Sequence, residues 1–68
     1  MDSFLAHILV VDDDEGIRLL VKKYLNENQY LVTTASNAED ASEKVKIINV
    51  DLIILNIRIP GKNGIEFI

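Results

Sequence analysis

Sixty-eight residues hold one small domain or part of one, and 49% apolar with 26% charged residues fits a folded chain, not a disordered tail. The absence of cysteine excludes disulfides and zinc–thiolate sites, and seven basic against eleven acidic residues give a net charge of −4, which argues against nucleic-acid binding. The longest apolar runs, Ile8–Val11 and Leu52–Leu55, are four residues each against the roughly 20 a bilayer span needs, and Met1-Asp2-Ser3 is no signal-peptide start, so a cytoplasmic protein without a membrane segment is expected.

No repeat, low-complexity tract or linker divides the chain. His7 to Val11 is a β-branched and aliphatic run that predicts a strand buried on both faces. The period then changes: Ile17, Leu20, Val21, Tyr24 and Leu25 form the stripe of one helix face. Asp13 or Asp14 supplies an N-cap there, Asp14 and Glu15 suit the positive end of the helix dipole, and Asn26 to Asn28 is the exit. Tyr30 to Ala35 is rich in β-formers and predicts a second strand. Ser36-Asn37-Ala38-Glu39 reads as a capping box, the Ser36 hydroxyl reaching the third amide and Glu39 reaching back. The helix it opens carries Ala38, Ala41, Val45 and Ile48 on one face. Leu52 to Leu55 predicts a third strand, again apolar on both faces. Pro60-Gly61 and Asn63-Gly64 are turn signals, and Ile65 to Ile68 is the start of a third helix too short to form alone. The order β-α-β-α-β predicts an α/β fold with a parallel three-stranded sheet and right-handed crossovers.

The first strand runs into Asp12-Asp13-Asp14-Glu15 and the third into Asn56. Open parallel sheets bind ligands outside the carboxyl ends of their strands, where strand order reverses, so Asp12, Asp13 and Asn56 fall at the functional edge. Two adjacent carboxylates and an amide oxygen form a hard-oxygen set suited to Mg²⁺ or Mn²⁺. The alternative is that the acids only cap a helix and keep the surface soluble. A cap needs one of them, with one more for the dipole, and four stand in sequence.

The run Ile-Leu-Val-Val-Asp-Asp-Asp at 8–14, the run Leu-Ile-Ile-Leu-Asn-Ile-Arg-Ile-Pro-Gly at 52–61 and the Asn63-Gly64 turn resemble the receiver domain of bacterial two-component response regulators. The spacing is that of the winged-helix transcription-factor class. The resemblance covers the whole chain and about the first half of a receiver, and implies a flavodoxin-like fold in a phosphorelay. It implies that Asp12 and Asp13 hold Mg²⁺, that the backbone carbonyl of Arg58 completes the protein ligands, and that position 56 accepts phosphate from a sensor histidine kinase.

Position 56 is asparagine, an amide of nearly the same shape that is neutral and weakly nucleophilic. It preserves packing, removes the reaction and takes one negative charge from the cation site, so Mg²⁺ binding is expected to be weak. Arg58 is a second departure, since receivers usually carry an apolar residue there. Its guanidinium either reaches back to Asp12 or Asp13 and occupies the metal's place, or is solvated. The fourth and fifth strands of a receiver, with their Ser/Thr and Lys, have no counterpart in the 68 residues. Residues 1–68 are therefore expected to be a truncated receiver domain without an effector domain, acting at most as a binding or dimerisation module and not as an enzyme.

His7, with no second His or Cys, is not expected to bind metal. Tyr24 and Tyr30 suit core and strand-edge positions, and Lys22, Lys23, Lys44 and Lys46 read as solvated charge. No Gly-rich loop follows the first strand, which excludes a dinucleotide fold. A rival reading is an aspartyl-nucleophile phosphatase fragment using Asp12 as nucleophile and Asp14 as acid/base. That family wants Thr or Val where this chain has Gly16. A third is an interfering fragment that docks on a kinase without taking phosphate. With no fourth strand, the edge of Leu52–Leu55 is expected to pair with another copy, burying the Ile65–Ile68 segment in a homo-oligomer.

Overall fold

The computed structural model describes residues 3–56, which form β1 (His7–Asp12), α1 (Glu15–Glu27), β2 (Leu31–Ala35), α2 (Ala38–Val45) and β3 (Leu52–Asn56). The Pro60-Gly61 and Asn63-Gly64 turns, the helix start at Ile65–Ile68 and Arg58 lie outside them. The three strands and two helices predicted within the described residues form: β1 and β3 extend to include Asp12 and Asn56, β2 begins at Leu31, and α2 ends at Val45, so Ile48, expected on its face, lies beyond it.

The strands are parallel in the order β2-β1-β3. β1 is central, and its Ile8 to Asp12 are all buried, which is why this stretch carries no polar alternation. The two helices lie on opposite faces of the sheet. Ile8, Val10 and Val32 pack with Val21, Leu25 and Tyr30 on the α1 side, while Leu9, Val11, Ala35, Ala41 and Val50 pack on the α2 side. That is the doubly wound arrangement right-handed crossovers give.

The expected apolar stripe of α1 is covered on one side only. Val21 and Leu25 meet the core, whereas Ile17, Leu20 and Tyr24 are exposed, Leu20 at 67% and Tyr24 at 63%. The cause is placement: α1 rests on β1 and β2 and does not touch β3. In α2 the same correction applies. This two-turn helix buries Ala41 but leaves Ala38 and Val45 exposed, and Val50 from the following loop fills the remaining space. β3 is exposed along its whole length, against the expectation of burial on both faces. Neither helix reaches it, and among the described residues no strand lies on its outer side.

Helix ends are set by side chains. The Asp14 carboxylate accepts the Ile17 N–H at 3.0 Å, so Asp14 is the N-cap of α1. At the other end the Tyr30 N–H donates to Leu25 O and the Gln29 N–H to Asn26 O, a Schellman motif with Gln29 at φ 75°. The cap of α2 sits one residue later than predicted, and the returning bond goes to the residue before the cap instead of to the cap itself. Asn37 is the N-cap, its Oδ1 accepting the Asp40 N–H at 2.7 Å, and the Asp40 carboxylate accepts the Ser36 N–H at 3.3 Å. Asparagine is as good a cap as serine, and an aspartate three residues on replaces the glutamate. Lys44, expected to be solvated, is half-buried; its ammonium donates to Thr34 O at 2.6 Å and pairs with Asp40 at 3.3 Å.

Candidate functional site

β1 and β3 are neighbours in register, and the register sets Asp12 opposite Asn56. Chain direction across the sheet reverses between these two strands, which opens a crevice beyond their carboxyl ends. Of the expected residues, Asp12 and Asn56 meet at that edge, and Asp13 follows Asp12 directly in the chain.

Asp12 is 2% exposed, because it continues a strand whose preceding residues are all core. A carboxylate withdrawn from water needs donors on its oxygens. Oδ1 accepts the Asp14 N–H at 2.9 Å, and Oδ2 accepts the Asn56 Nδ2–H at 2.7 Å. Arg18 Nη1 donates to the main-chain carbonyl of Asp12 at 2.7 Å, bringing a guanidinium to the end of β1. Asp13 and Asn56 are exposed at the crevice mouth.

The two readings of the acid run divide between its members. Asp14 caps α1 and Glu15 lies in its first turn, while Asp12 and Asp13 precede the helix and are not needed to cap it. Asp12 and Asp13 carboxylates with an Asn56 amide oxygen fit a magnesium-type cation in kind. Two carboxylates are a low charge for such a site, and among the described residues no group of three His, Cys, Asp or Glu side chains is placed to hold a metal. The phosphatase alternative needs Asp14 as acid/base, and its Oδ1 is committed to the helix cap.

Arg18 is the residue sequence reasoning missed. Its signal is positional: one turn into α1, a long side chain can reach back to the strand end it has just left. His7 lies at the opposite end of the sheet, where its Nε2 shares a hydrogen bond of 2.7 Å with Thr33 Oγ1. No helix among the described residues is long and apolar enough to cross a membrane.

The family model for the response regulator receiver domain matches residues 8–68. The chain is 41% identical over 66 residues to protein PetR of Rhodobacter capsulatus, covering 97% of this chain and 28% of that protein. It is 44% identical over 59 residues to the transcriptional regulatory protein ResD of Bacillus subtilis, covering 87% of this chain and 25% of ResD. Sporulation initiation phosphotransferase F of the same organism is 39% identical over 61 residues, with 90% of this chain and 49% of that protein covered. Among solved structures, the response regulator TrrA of Thermotoga maritima, determined in complex with Mg²⁺–BeF, superimposes with a TM-score of 0.75 at 47% identity, covering 91% of this chain and 54% of TrrA. The chain thus spans between about a quarter and a half of the length of these relatives. With the β2-β1-β3 sheet and the acid pair at its carboxyl edge, these matches show that the chain belongs to the response regulator receiver domain family of two-component systems.

Proposed function

We propose that this chain is a degenerate receiver module: it keeps the receiver's fold and acid pocket, accepts no phosphate at Asn56 and serves as a binding module. The observation that supports the reading is the Asn56 amide, which stands at the position the receiver resemblance assigns to the phosphoacceptor and donates to Asp12 at 2.7 Å. Phosphoryl transfer to a side chain at this position needs a carboxylate oxygen to attack phosphorus in line. An amide held as a hydrogen-bond donor offers no such nucleophile. In this reading the module is a non-enzymatic protein of the cytoplasm.

Its ligand at the crevice is Mg²⁺, bound weakly through Asp12 and Asp13, with Asn56 and the Arg58 backbone carbonyl as the remaining protein groups. TrrA, the structural relative bound to Mg²⁺–BeF, supports the choice of cation. When bound, such a cation neutralises charge around a phosphoryl group. Its macromolecular partners are a sensor histidine kinase, which the module docks on without taking phosphate, and a second copy of itself through the exposed edge of β3. No nucleic acid is a partner of these residues.

Incubation with acetyl phosphate, or with a cognate histidine kinase and ATP, in the presence of Mg²⁺ tests the central point. Intact-mass measurement is expected to show no phosphoryl adduct. An acid-labile adduct on this chain would overturn the reading.

A further inference from the structure

We infer that the Asn56 side-chain amide is a built-in substitute for a cation at Asp12, so that the pocket is stable without divalent metal. Asp12 is 2% exposed, and a charged carboxylate at that depth is tolerated only when its oxygens are hydrogen-bonded. The Asp14 N–H takes Oδ1 at 2.9 Å and the Asn56 Nδ2–H takes Oδ2 at 2.7 Å, both within the short range of charge-assisted bonds. The Arg18 guanidinium, bound to the Asp12 carbonyl at 2.7 Å, adds positive charge beside the same residue. The Asn56 N–H supplies to Oδ2 part of the positive potential that a cation would supply, so Asn56 acts toward Asp12 as the cation's alternative. An aspartate at 56 would reverse the situation. It would set a second carboxylate within hydrogen-bonding distance of the first, and like charges that close are relieved by a cation between them or by a proton on one of them.

Only the magnesium arm of the test rests on the proposed cation site. Thermal unfolding is measured for the native chain, Asn56→Asp and Asn56→Ala, each in EDTA and in millimolar Mg²⁺. In EDTA, Asn56→Asp is expected to melt on the order of 5 °C below the native chain, and Asn56→Ala to fall between the two. Mg²⁺ is expected to restore Asn56→Asp and to leave the native melting point within about 1 °C, as differential binding to the folded state requires. Failure of Asn56→Asp to fold in EDTA, with rescue by Mg²⁺, supports the inference equally. The inference is overturned if Asn56→Asp or Asn56→Ala melts with or above the native chain in EDTA. It is also overturned if Mg²⁺ raises the native chain as much as Asn56→Asp. Absence of a magnesium response in Asn56→Asp overturns the reading of Asn56 as a cation substitute, and absence in all three chains also removes the cation site from the proposed function.

Discussion

His7 and Asp51 hold each other through two hydrogen bonds at the amino-terminal end of the β1–β3 pair. The Asp51 N–H donates to His7 O at 2.7 Å, and the His7 N–H donates to the Asp51 carboxylate at 2.8 Å. The same number of residues separates His7 from Asp12 as separates Asp51 from Asn56. A clamp at one end of the strands thus fixes the register that brings the Asn56 amide to Asp12 at the other. A slip of one residue would carry Asn56 away from Asp12 and turn every β3 side chain to the opposite face.

Asp51→Ala is therefore expected to loosen β3 at its start. The lost bond is solvent-accessible and contributes about 1 kcal/mol, or roughly 4–8 °C in melting temperature for a domain this small. Amide hydrogen exchange should accelerate along Leu52–Asn56 while β1–β2 amides keep their protection. Equal acceleration in both strand pairs would show that the clamp does not act on β3 in particular.

Gln29 gives a prediction of opposite sign. It sits at φ 75°, a left-handed conformation that costs a side-chain-bearing residue roughly 1 kcal/mol, at the Schellman position where glycine is usual. Its backbone bonds to Asn26 O, and the neighbouring Tyr30 bond to Leu25 O, do not depend on the side chain. Gln29→Gly is expected to raise stability by up to about 1 kcal/mol, read as a shift in the urea midpoint at unchanged slope.

Strand existence, parallel order and the meeting of Asp12 with Asn56 were legible in the sequence, because short uninterrupted apolar runs ending in polar residues have few other solutions. The covered width of each helix was not. Periodicity shows which residues share a face and cannot show how much sheet lies beneath it, so Leu20 and Tyr24 read as core although α1 stops short of β3. The cap of α2 was misplaced because Ser36 and Asn37 are both good caps. Only the chain's path selects the one whose side chain meets an amide. Asn37→Ala is accordingly expected to cost about 1 kcal/mol and Ser36→Ala a few tenths at most, in parallel thermal melts. The reverse order would return the cap to Ser36. Arg18 escaped notice because the acceptor of its side chain is the Asp12 main-chain carbonyl, which every residue has, so only its position one turn into α1 points to the bond.

The proposed self-association rests on β3, and its residues make separable predictions. Leu52, Ile53, Ile54 and Leu55 carry no charge, no proline and no bulge, the usual devices that keep an edge strand from pairing with another chain. Their exposure differs: Ile54, opposite Val10, is 36% exposed, while Leu55, opposite Val11, is 63% exposed. A lysine at the better covered position must bury part of its stem and charge against the α1-side core, whereas at Leu55 its ammonium reaches water. Leu55→Lys is therefore expected to abolish association and leave a folded monomer. Ile54→Lys is expected to abolish association and unfold the chain together. Light scattering at micromolar concentration reads the first property and circular dichroism the second. A native chain that is monomeric at these concentrations, with a sharp melting transition independent of concentration, would remove β3 as an assembly edge.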